Sequence, residues 1–228
     1  MKMEIESDET ADGANVPQDK NKNELTDVLK ARAGEGEIKC CIVGDGGVGK
    51  TSMLLSYTTG KMLTNYEPTC FESYVIEVKQ GETTKKMFVM DTAGQETYDR
   101  LRTLSYYDTD VFIVCFSVDD QDSFDNVRTR WIPEIKEFRP NTPFIMVGTQ
   151  TDLRHSVVDI TDACVSSARG KKAAKKLGAK KYIECSSVDG QGTDYVFEVA
   201  LKTAQSPVGQ KKIWKSIKRA FRKKDAAV

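Results

Sequence analysis

The sequence predicts an α/β domain with a six-stranded, mostly parallel sheet, helices on both faces and one antiparallel edge strand. Three observations predict this fold. Short apolar runs of strand length recur from Ile38 to about Gln205, and helical stretches separate most of them. A glycine-rich loop joins the first run to a helical stretch. Two strand-like runs flank Gly81-Glu82, which is the pattern of a β-hairpin.

The predicted strands follow one another along a single domain. They are IKCCIVG, the hairpin pair within YVIEVKQGETTKKMFVM, and then VFIVCFSV, FIMVGT and YIECSS. This region, assigned as residues 37–205, is long enough to bury one substantial core. Residues 1–36 are acidic and poor in aromatics, so we expect a disordered extension. Residues 206–228 form a basic tail.

Charge and composition narrow the classes of function. Lysine and arginine together number 34, as do aspartate and glutamate, yet residues 1–30 are acidic and residues 209–228 are strongly basic. A protein that is basic at one end only is not expected to bind nucleic acid. No apolar run is long enough to cross a bilayer, and no signal peptide is recognisable, so we expect a cytoplasmic location. The six cysteines lack CxxC spacing and indicate reduced, packed thiols.

The strongest motif lies between the first strand and the first helix. It reads Gly44-Asp45-Gly46-Gly47-Val48-Gly49-Lys50-Thr51, followed by Ser52 and a helical stretch. This is GxxxxGK[ST] in its strand–loop–helix context, where backbone N–H groups and the helix N-terminus bind phosphates. We expect Lys50 to reach the β- and γ-phosphates and Thr51 to ligate Mg²⁺. A chance glycine-rich turn is the alternative.

Further stretches indicate which nucleotide is bound and which residues act on its phosphates. Asp91 ends a strand, which predicts a place beside Mg²⁺ with a water molecule between them. Gly94 is then expected to approach the γ-phosphate and Gln95 the attacking water. Thr149-Gln150-Thr151-Asp152, followed by Leu153, ends another strand. A carboxylate there accepts from the ring N–H and the amine of guanine, a donor pair that adenine lacks. A backbone N–H in Cys185-Ser186-Ser187 is expected to meet the guanine carbonyl.

The chain from Ile38 to Gln205 resembles Rho-type small GTPases, particularly their Rac-like and cell-division-control branch. The most specific stretches are DTAGQETYDRLRTLSYYDTDVFIVCFSV, NVRTRWIPEI and PNTPFIMVGTQTDLR. The resemblance implies a Ras-like G domain and a monomeric GTP/GDP switch with slow Mg²⁺-dependent hydrolysis. It also implies exchange factors, activating proteins that supply an arginine, and effectors, with roles in actin organisation, polarity or membrane traffic.

The resemblance also assigns the switch and effector residues. In Tyr66-Glu67-Pro68-Thr69, Thr69 is expected to sense the γ-phosphate and Mg²⁺, and Tyr66 to border the nucleotide. The catalytic set is then Gln95, Lys50, Thr69 and Gly94, while Phe71, Glu72 and Tyr74 occupy effector-binding positions. Met62 stands where the family usually has an aromatic residue against the guanine base. We therefore expect weaker nucleotide retention and faster exchange, against the alternative that methionine packs equally well.

The basic tail differs from the prenylated cysteine box with which most relatives end. On a helical projection Ile213, Trp214, Ile217 and Phe221 share one apolar face. The cations other than Lys224, among them Lys215, Lys218, Arg219 and Arg222, occupy the rest. Such a stripe suits an anionic membrane, which predicts unprenylated, peripheral attachment to the plasma membrane or endomembranes. The alternatives are a calmodulin-like groove, packing on the domain, and disorder.

Two other classes of function compete with the GTPase switch. The first is a fast-cycling or constitutively GTP-bound scaffold with little productive hydrolysis, which Met62 favours and the intact Gly46 and Gln95 oppose. The second is a P-loop kinase or adenine-nucleotide ATPase, which Asp152 and Thr69 oppose.

Overall fold

The computed structural model describes residues 37–60, 71–92, 94, 99–156 and 164–206. Strands and helices alternate through most of these ranges. They are β1 Ile38–Val43, α1 Lys50–Thr59, β2 Phe71–Gln80, β3 Thr83–Thr92, α2 Asp99–Ser105, β4 Val111–Ser117, α3 Gln121–Asn126, a π-helical segment Val127–Trp131, α4 Ile132–Phe138, β5 Phe144–Thr149, α5 Leu153–Ser156, α6 Ser167–Leu177, β6 Tyr182–Glu184 and α7 Thr193–Ala204.

One six-stranded sheet has the order β2-β3-β1-β4-β5-β6. Every neighbouring pair is parallel except β2–β3, which pairs antiparallel from Phe71 opposite Thr92 to Gln80 opposite Thr83. The predicted α/β fold, its antiparallel edge strand and the hairpin at Gly81-Glu82 are therefore confirmed. Because the other strands all run the same way, their carboxyl ends meet at one edge of the sheet and their amino ends at the opposite edge.

The core lies on both faces of the sheet, and the central strand β4 is buried along its whole length. Side chains alternate between faces along a strand. Ile113 and Cys115 accordingly join the cluster that contains Phe197 of α7, and Phe112 joins the cluster that contains Trp131. Burial stabilises each large apolar side chain by about 1.5–3 kcal/mol. A strand buried on both faces explains the continuous apolar run VFIVCFSV.

The helical stretch from 121 to 138 is interrupted by a π-helical segment. Asp120 caps its start, since one carboxylate oxygen accepts hydrogen bonds from the N–H groups of Asp122 (3.0 Å) and Ser123 (3.1 Å). Further along, the N–H of Ile132 donates to the carbonyl of Val127, a wider turn than an α-helix makes. Pro133 follows and has no N–H to offer the helix. The wider turn includes Trp131, whose side chain reaches the glycine-rich loop after β1.

Two further expectations concern membrane spans and thiols. Within the described ranges, no helix has the length and apolar character needed to cross a bilayer. The five cysteines in these ranges all carry free thiols, which confirms the prediction for them. Cys70 lies outside the described residues, and the proposed boundaries at residues 36 and 206 remain predictions.

Candidate functional site

The candidate site lies at the carboxyl edge of the sheet. The loops that follow β1, β3, β5 and β6 carry the residues singled out from the sequence, and parallel pairing brings these loops together. Pockets at the carboxyl ends of parallel strands are the usual binding sites of open α/β sheets. The location therefore follows from strand direction.

The glycine-rich loop after β1 turns tightly into α1. Gly44 has φ +146°, and a Cβ built there would lie 2.3 Å from the carbonyl oxygen of Cys115 in β4, so only glycine fits. Gly49 precedes α1 with φ 83°, and its carbonyl accepts the first helical hydrogen bond, from Met53 (2.9 Å). Val48 is buried beneath the loop, while Gly46 and Gly47 are exposed. This arrangement presents backbone N–H groups and a helix N-terminus to an anion.

Lys50 is buried at the start of α1 and points back under the loop. Its ammonium group donates to the carbonyl oxygens of Gly44 (2.8 Å) and Asp45 (2.7 Å). Burial lowers the pKa of Lys50, and the nearby carboxylate of Asp91 opposes that change. A buried cation held by two loop carbonyls is placed to attract phosphate oxygens to the same loop.

Asp91 at the end of β3 and Thr51 in α1 form the part of the site that fits a metal ion. The Thr51 hydroxyl donates to one Asp91 carboxylate oxygen (2.5 Å). The other oxygen is buried and has no hydrogen-bond partner among the described residues. Burial raises the pKa of Asp91 to about 6, with Thr51 and Lys50 acting in the opposite direction. An unpartnered carboxylate oxygen beside a hydroxyl provides hard oxygen ligands of the kind that Mg²⁺ prefers.

Asp45 uses its side chain to fasten the loop to the helical stretch behind it. Its carboxylate accepts hydrogen bonds from the indole N–H of Trp131 (2.6 Å) and from the side-chain amide of Asn126 (2.6 Å). We therefore expect Asp45 to serve a nucleotide through its backbone, with its carboxylate directed at these two donors. Sequence reasoning missed both donors, although Trp131 lies in the quoted stretch NVRTRWIPEI.

Gly94 passes against the glycine-rich loop at van der Waals distance. A Cβ built on it would lie 2.3 Å from both the carbonyl carbon of Asp45 and the amide nitrogen of Gly46. Backbone atoms cannot be displaced at small cost, so the chain approaches this closely only with glycine. Gly94 is thus the residue through which the segment after β3 touches the candidate phosphate loop.

The base-reading residues predicted from the sequence lie at the ends of β5 and β6. The Ser186 hydroxyl donates to the Asp152 carboxylate (2.6 Å), which holds that carboxylate in place. The Ser186 N–H donates to the carbonyl of Gln191 (2.9 Å) and is therefore already engaged. We expect the N–H of Ser187 to meet the guanine carbonyl instead. The Ser187 carbonyl accepts from the hydroxyl of Ser56 in α1 (3.1 Å), which links this loop to the phosphate side.

Thr149 and Gln150 tie the base side of the site to the glycine-rich loop. The Thr149 hydroxyl donates to the Val48 carbonyl (2.6 Å), and the Gln150 amide donates to the Gly47 carbonyl (3.1 Å). The hydroxyl of Ser117 donates to the Gln150 side-chain oxygen. Gln150 has φ 58°, and Leu153 starts α5 directly beyond it. Residues from three loops are thereby held in one rigid group.

Arg154 in α5 and Glu184 at the end of β6 form an ion pair that the sequence did not predict. The guanidinium donates to both Glu184 carboxylate oxygens (2.8 Å each), and the Tyr182 hydroxyl donates to one of them (2.7 Å). Partial burial raises the pKa of Glu184, but the hydrogen bonds from Arg154 and Tyr182 outweigh it and lower the pKa overall. This bidentate pair fixes the end of β6 relative to α5.

Of the remaining residues predicted from the sequence, some lie within the described ranges and others lie outside them. Glu72 is exposed and Tyr74 half-buried on edge strand β2, where the Tyr74 hydroxyl donates to the Glu72 carboxylate. The backbone of Phe71 begins the same strand. Ser52 lies in the first turn of α1. Outside the described residues lie Met62, Tyr66, Thr69, Gln95 and the tail with Ile213, Trp214, Lys215, Ile217, Lys218, Arg219, Phe221 and Arg222.

The comparison with protein families agrees with this geometry. The family model described as "Ras: Ras family" matches residues 39–206, about three quarters of the chain.

Proposed function

The chain belongs to the Ras family of small GTPase switches, and we propose that it is a Rho-type switch with slow, Mg²⁺-dependent GTP hydrolysis. One observation supports this most: the glycine-rich loop, the Thr51–Asp91 pair and the Asp152–Ser186 pair meet at one edge of the sheet. They offer a phosphate cradle, metal ligands and a guanine-reading carboxylate together. The Rho branch is supported by the stretches quoted from the sequence, notably NVRTRWIPEI.

The described residues divide the chemistry between them. The loop N–H groups and Lys50 bind and orient the phosphates, and the developing negative charge is stabilised there. Mg²⁺, when bound, neutralises phosphate charge, and Thr51 and Asp91 would hold it. Gly94 gives the segment after β3 close access to the phosphate loop. We assign Gln95 to orient the attacking water and Thr69 to sense the γ-phosphate, on the family pattern.

Asp152 provides the specificity for guanine in this proposal. A carboxylate accepts from both the ring N–H and the amine of guanine, and adenine has no such donor pair. Sites built to satisfy a particular polar pattern reject analogues that lack it by large factors. The kinase or adenine-nucleotide ATPase alternative would leave this carboxylate without a role.

The proposal is tested by release of a fluorescent GDP from the purified protein in millimolar Mg²⁺. We expect a chase with excess GTP to displace the label and a chase with ATP to leave it bound. In Asp152→Asn the side chain gains an N–H₂ donor, so GDP should bind far more weakly and xanthosine diphosphate more tightly. Displacement by ATP, or an Asp152→Asn protein with unchanged preference, would contradict the assignment.

A scaffold that cycles fast or stays GTP-bound is the second candidate. Met62 favours it because a methionine is a less rigid platform for the guanine base than an aromatic ring. Single-turnover hydrolysis with and without an activating protein separates the two, since a scaffold would hydrolyse little GTP under either condition.

The cellular setting belongs to the same proposal. We assign roles in actin organisation, polarity or membrane traffic, with exchange factors, activating proteins and effectors as partners, on the Rho resemblance. We also assign peripheral membrane attachment to the tail, because a helical projection of its sequence puts Trp214 and Phe221 on one apolar face flanked by cations.

A further inference from the structure

Six lysines lie on α6 and the turn after it, and we call them the lysine patch: Lys171, Lys172, Lys175, Lys176, Lys180 and Lys181. All six are exposed. No acidic residue occurs between Cys164 and Ile183. No ion pair joins any of the six to a carboxylate in the described part of the chain. The patch is therefore a concentrated positive surface, and Lys171 alone is near enough to a described carboxylate, that of Glu184, to help lower its pKa.

Packing fixes the direction in which the patch faces. Gly170 and Ala174 are the buried residues of α6, and a Cβ on Gly170 would lie 2.3 Å from the Tyr182 hydroxyl. With 3.6 residues per turn, the lysines of the helix fall on the opposite side, towards solvent. Lysines spaced four apart repel one another and weaken the helix. Lys175 and Lys176 lie in the last turn, where the helix dipole favours cations and offsets this repulsion. The packing of Gly170 and Ala174 therefore sets the direction of the charges, which face solvent and any anionic surface that approaches α6.

The end of the patch and the end of α7 lie at the same edge of the sheet, although α6 packs on one face of the sheet and α7 on the other. The Lys180 N–H donates to Phe144 at the start of β5 (2.8 Å), which puts the end of the patch at the amino edge. The side chain of Gln205 accepts from that of Gln80, at the end of antiparallel β2 (2.7 Å), so α7 also ends at the amino edge. The candidate nucleotide site occupies the opposite, carboxyl edge.

We propose that the lysine patch is a second contact with an anionic lipid surface, which acts together with the tail and holds the nucleotide edge away from the membrane. The inference rests on the proposed membrane attachment of the tail. Two weak contacts within one chain bind more tightly together than either does alone when the connection between them lets both engage at once. Basic residues near anionic lipid headgroups each add to the attraction.

The chemistry of the patch favours lipid over other anionic partners. Lysines are mobile point charges, which suit a diffuse layer of headgroups, whereas planar, bidentate recognition of phosphate calls for arginine. The tail adds an apolar stripe with Trp214 and Phe221, which a bilayer interface accepts and a nucleic acid does not require. Within this chain, the acidic residues 1–30 are the alternative partner for the lysine patch.

The test measures sedimentation of the full, GDP-loaded chain with vesicles of phosphatidylcholine containing about one quarter phosphatidylserine. One variant combines Lys175→Gln, Lys176→Gln and Lys180→Gln. The matched control combines Lys20→Gln, Lys22→Gln and Lys30→Gln, which removes the same charge from the acidic residues 1–36. We expect the patch variant to bind about tenfold more weakly or worse, and the control to stay within about twofold of the original.

A tail variant, Trp214→Ala with Phe221→Ala, separates failure of this inference from failure of the tail assignment. Loss of vesicle binding in the tail variant with no loss in the patch variant would overturn the role of the patch and keep that of the tail. No binding by the original chain would overturn both. Equal losses in patch and control variants would mean unspecific charge attraction and overturn the inference. If the patch variant binds vesicles as the original chain does, but its residues 1–36 are cleaved faster by a protease, the inference is overturned. The patch would then be a binding surface for the acidic residues 1–36.

Discussion

The indole N–H of Trp131 donates a 2.6 Å hydrogen bond to the carboxylate of Asp45, and so joins the π-helical segment to the phosphate loop. The guanidinium groups of Arg102 and Arg130 both lie over the indole ring, each 4.7 Å from its centroid. Arg102 forms ion pairs with Asp99 (2.8 Å), at the start of α2, and with Glu134. A continuous set of contacts thus runs from α2 through Trp131 to the loop.

Trp131→Phe removes the N–H of this bond and keeps an aromatic ring beside the two arginines. We expect the free energy of unfolding to fall by about 1.5–3 kcal/mol, because the hydrogen bond goes to a charged group, and GDP to dissociate faster. Urea denaturation and release of fluorescent GDP measure the two effects. Trp214→Phe makes the same chemical change in the tail and should alter neither. A less stable protein with unchanged GDP release would show that the contact serves the fold alone.

Gly94→Ala should abolish the close approach to the phosphate loop. The added methyl group would lie 2.3 Å from backbone atoms of Asp45 and Gly46, so the segment after β3 has to move away. We expect GTP hydrolysis to fall by at least about tenfold, the order that one lost positioning contact costs. Single-turnover hydrolysis is the measurement.

Gly178→Ala is the matched control for that variant. Gly178 ends α6 with φ +87° and would meet nothing within 4 Å, so alanine there adds backbone strain without a clash. It should cost about 1–2 kcal/mol of stability and leave hydrolysis unchanged. If both variants hydrolyse GTP equally slowly, general destabilisation explains the loss.

Glu184 should contribute stability that disappears in acid. Its pKa is lowered in the folded state below the ordinary 4.5, because the hydrogen bonds from Arg154 and Tyr182 outweigh partial burial. A lowered carboxyl pKa stabilises the fold above the ordinary pKa, and the contribution is lost as the pH falls through the folded value. The difference in unfolding free energy between the original chain and Glu184→Gln should therefore be full at neutral pH and shrink below pH 4.5.

The control for this pH dependence is Glu198→Gln. Glu198 pairs with Lys202 on the exposed side of α7, and such surface pairs contribute about 0–1 kcal/mol. Urea titrations at a series of pH values should show little difference for it. A Glu184→Gln difference that stays constant into acid would contradict the role of the Arg154 pair.

Met62→Phe tests the sequence-based expectation about nucleotide retention. An aromatic ring gives the guanine base a rigid edge to pack against, so GDP release should slow relative to the original chain. Release of fluorescent GDP measures the change. Met62→Leu keeps the size without the sulfur or the ring and should not slow release. Identical rates for the original chain and Met62→Phe would remove the fast-exchange hypothesis.

The fold and most of the local site could be predicted because their signals are short-ranged. Apolar runs separated by helical stretches predicted the parallel sheet, and Gly81-Glu82 between two such runs predicted the hairpin. The glycine-rich loop carries its geometry within eight residues. The functional assignment followed from motifs at strand ends, since parallel strands bring those ends to one edge.

Contacts between distant residues were decided by the tertiary structure alone. Asp45 and Trp131 are 86 positions apart, and Arg154 and Glu184 are 30 apart. Whether such residues meet depends on strand order and on which face each helix covers, and neither is encoded in local periodicity. The sequence by itself determined the elements, the phosphate loop and the charges of α6 and the tail. Only the packed structure decided that Asp45 faces Trp131 and that α6 and α7 both end at the amino edge of the sheet. Both depend on how the helices pack against the two faces of one sheet.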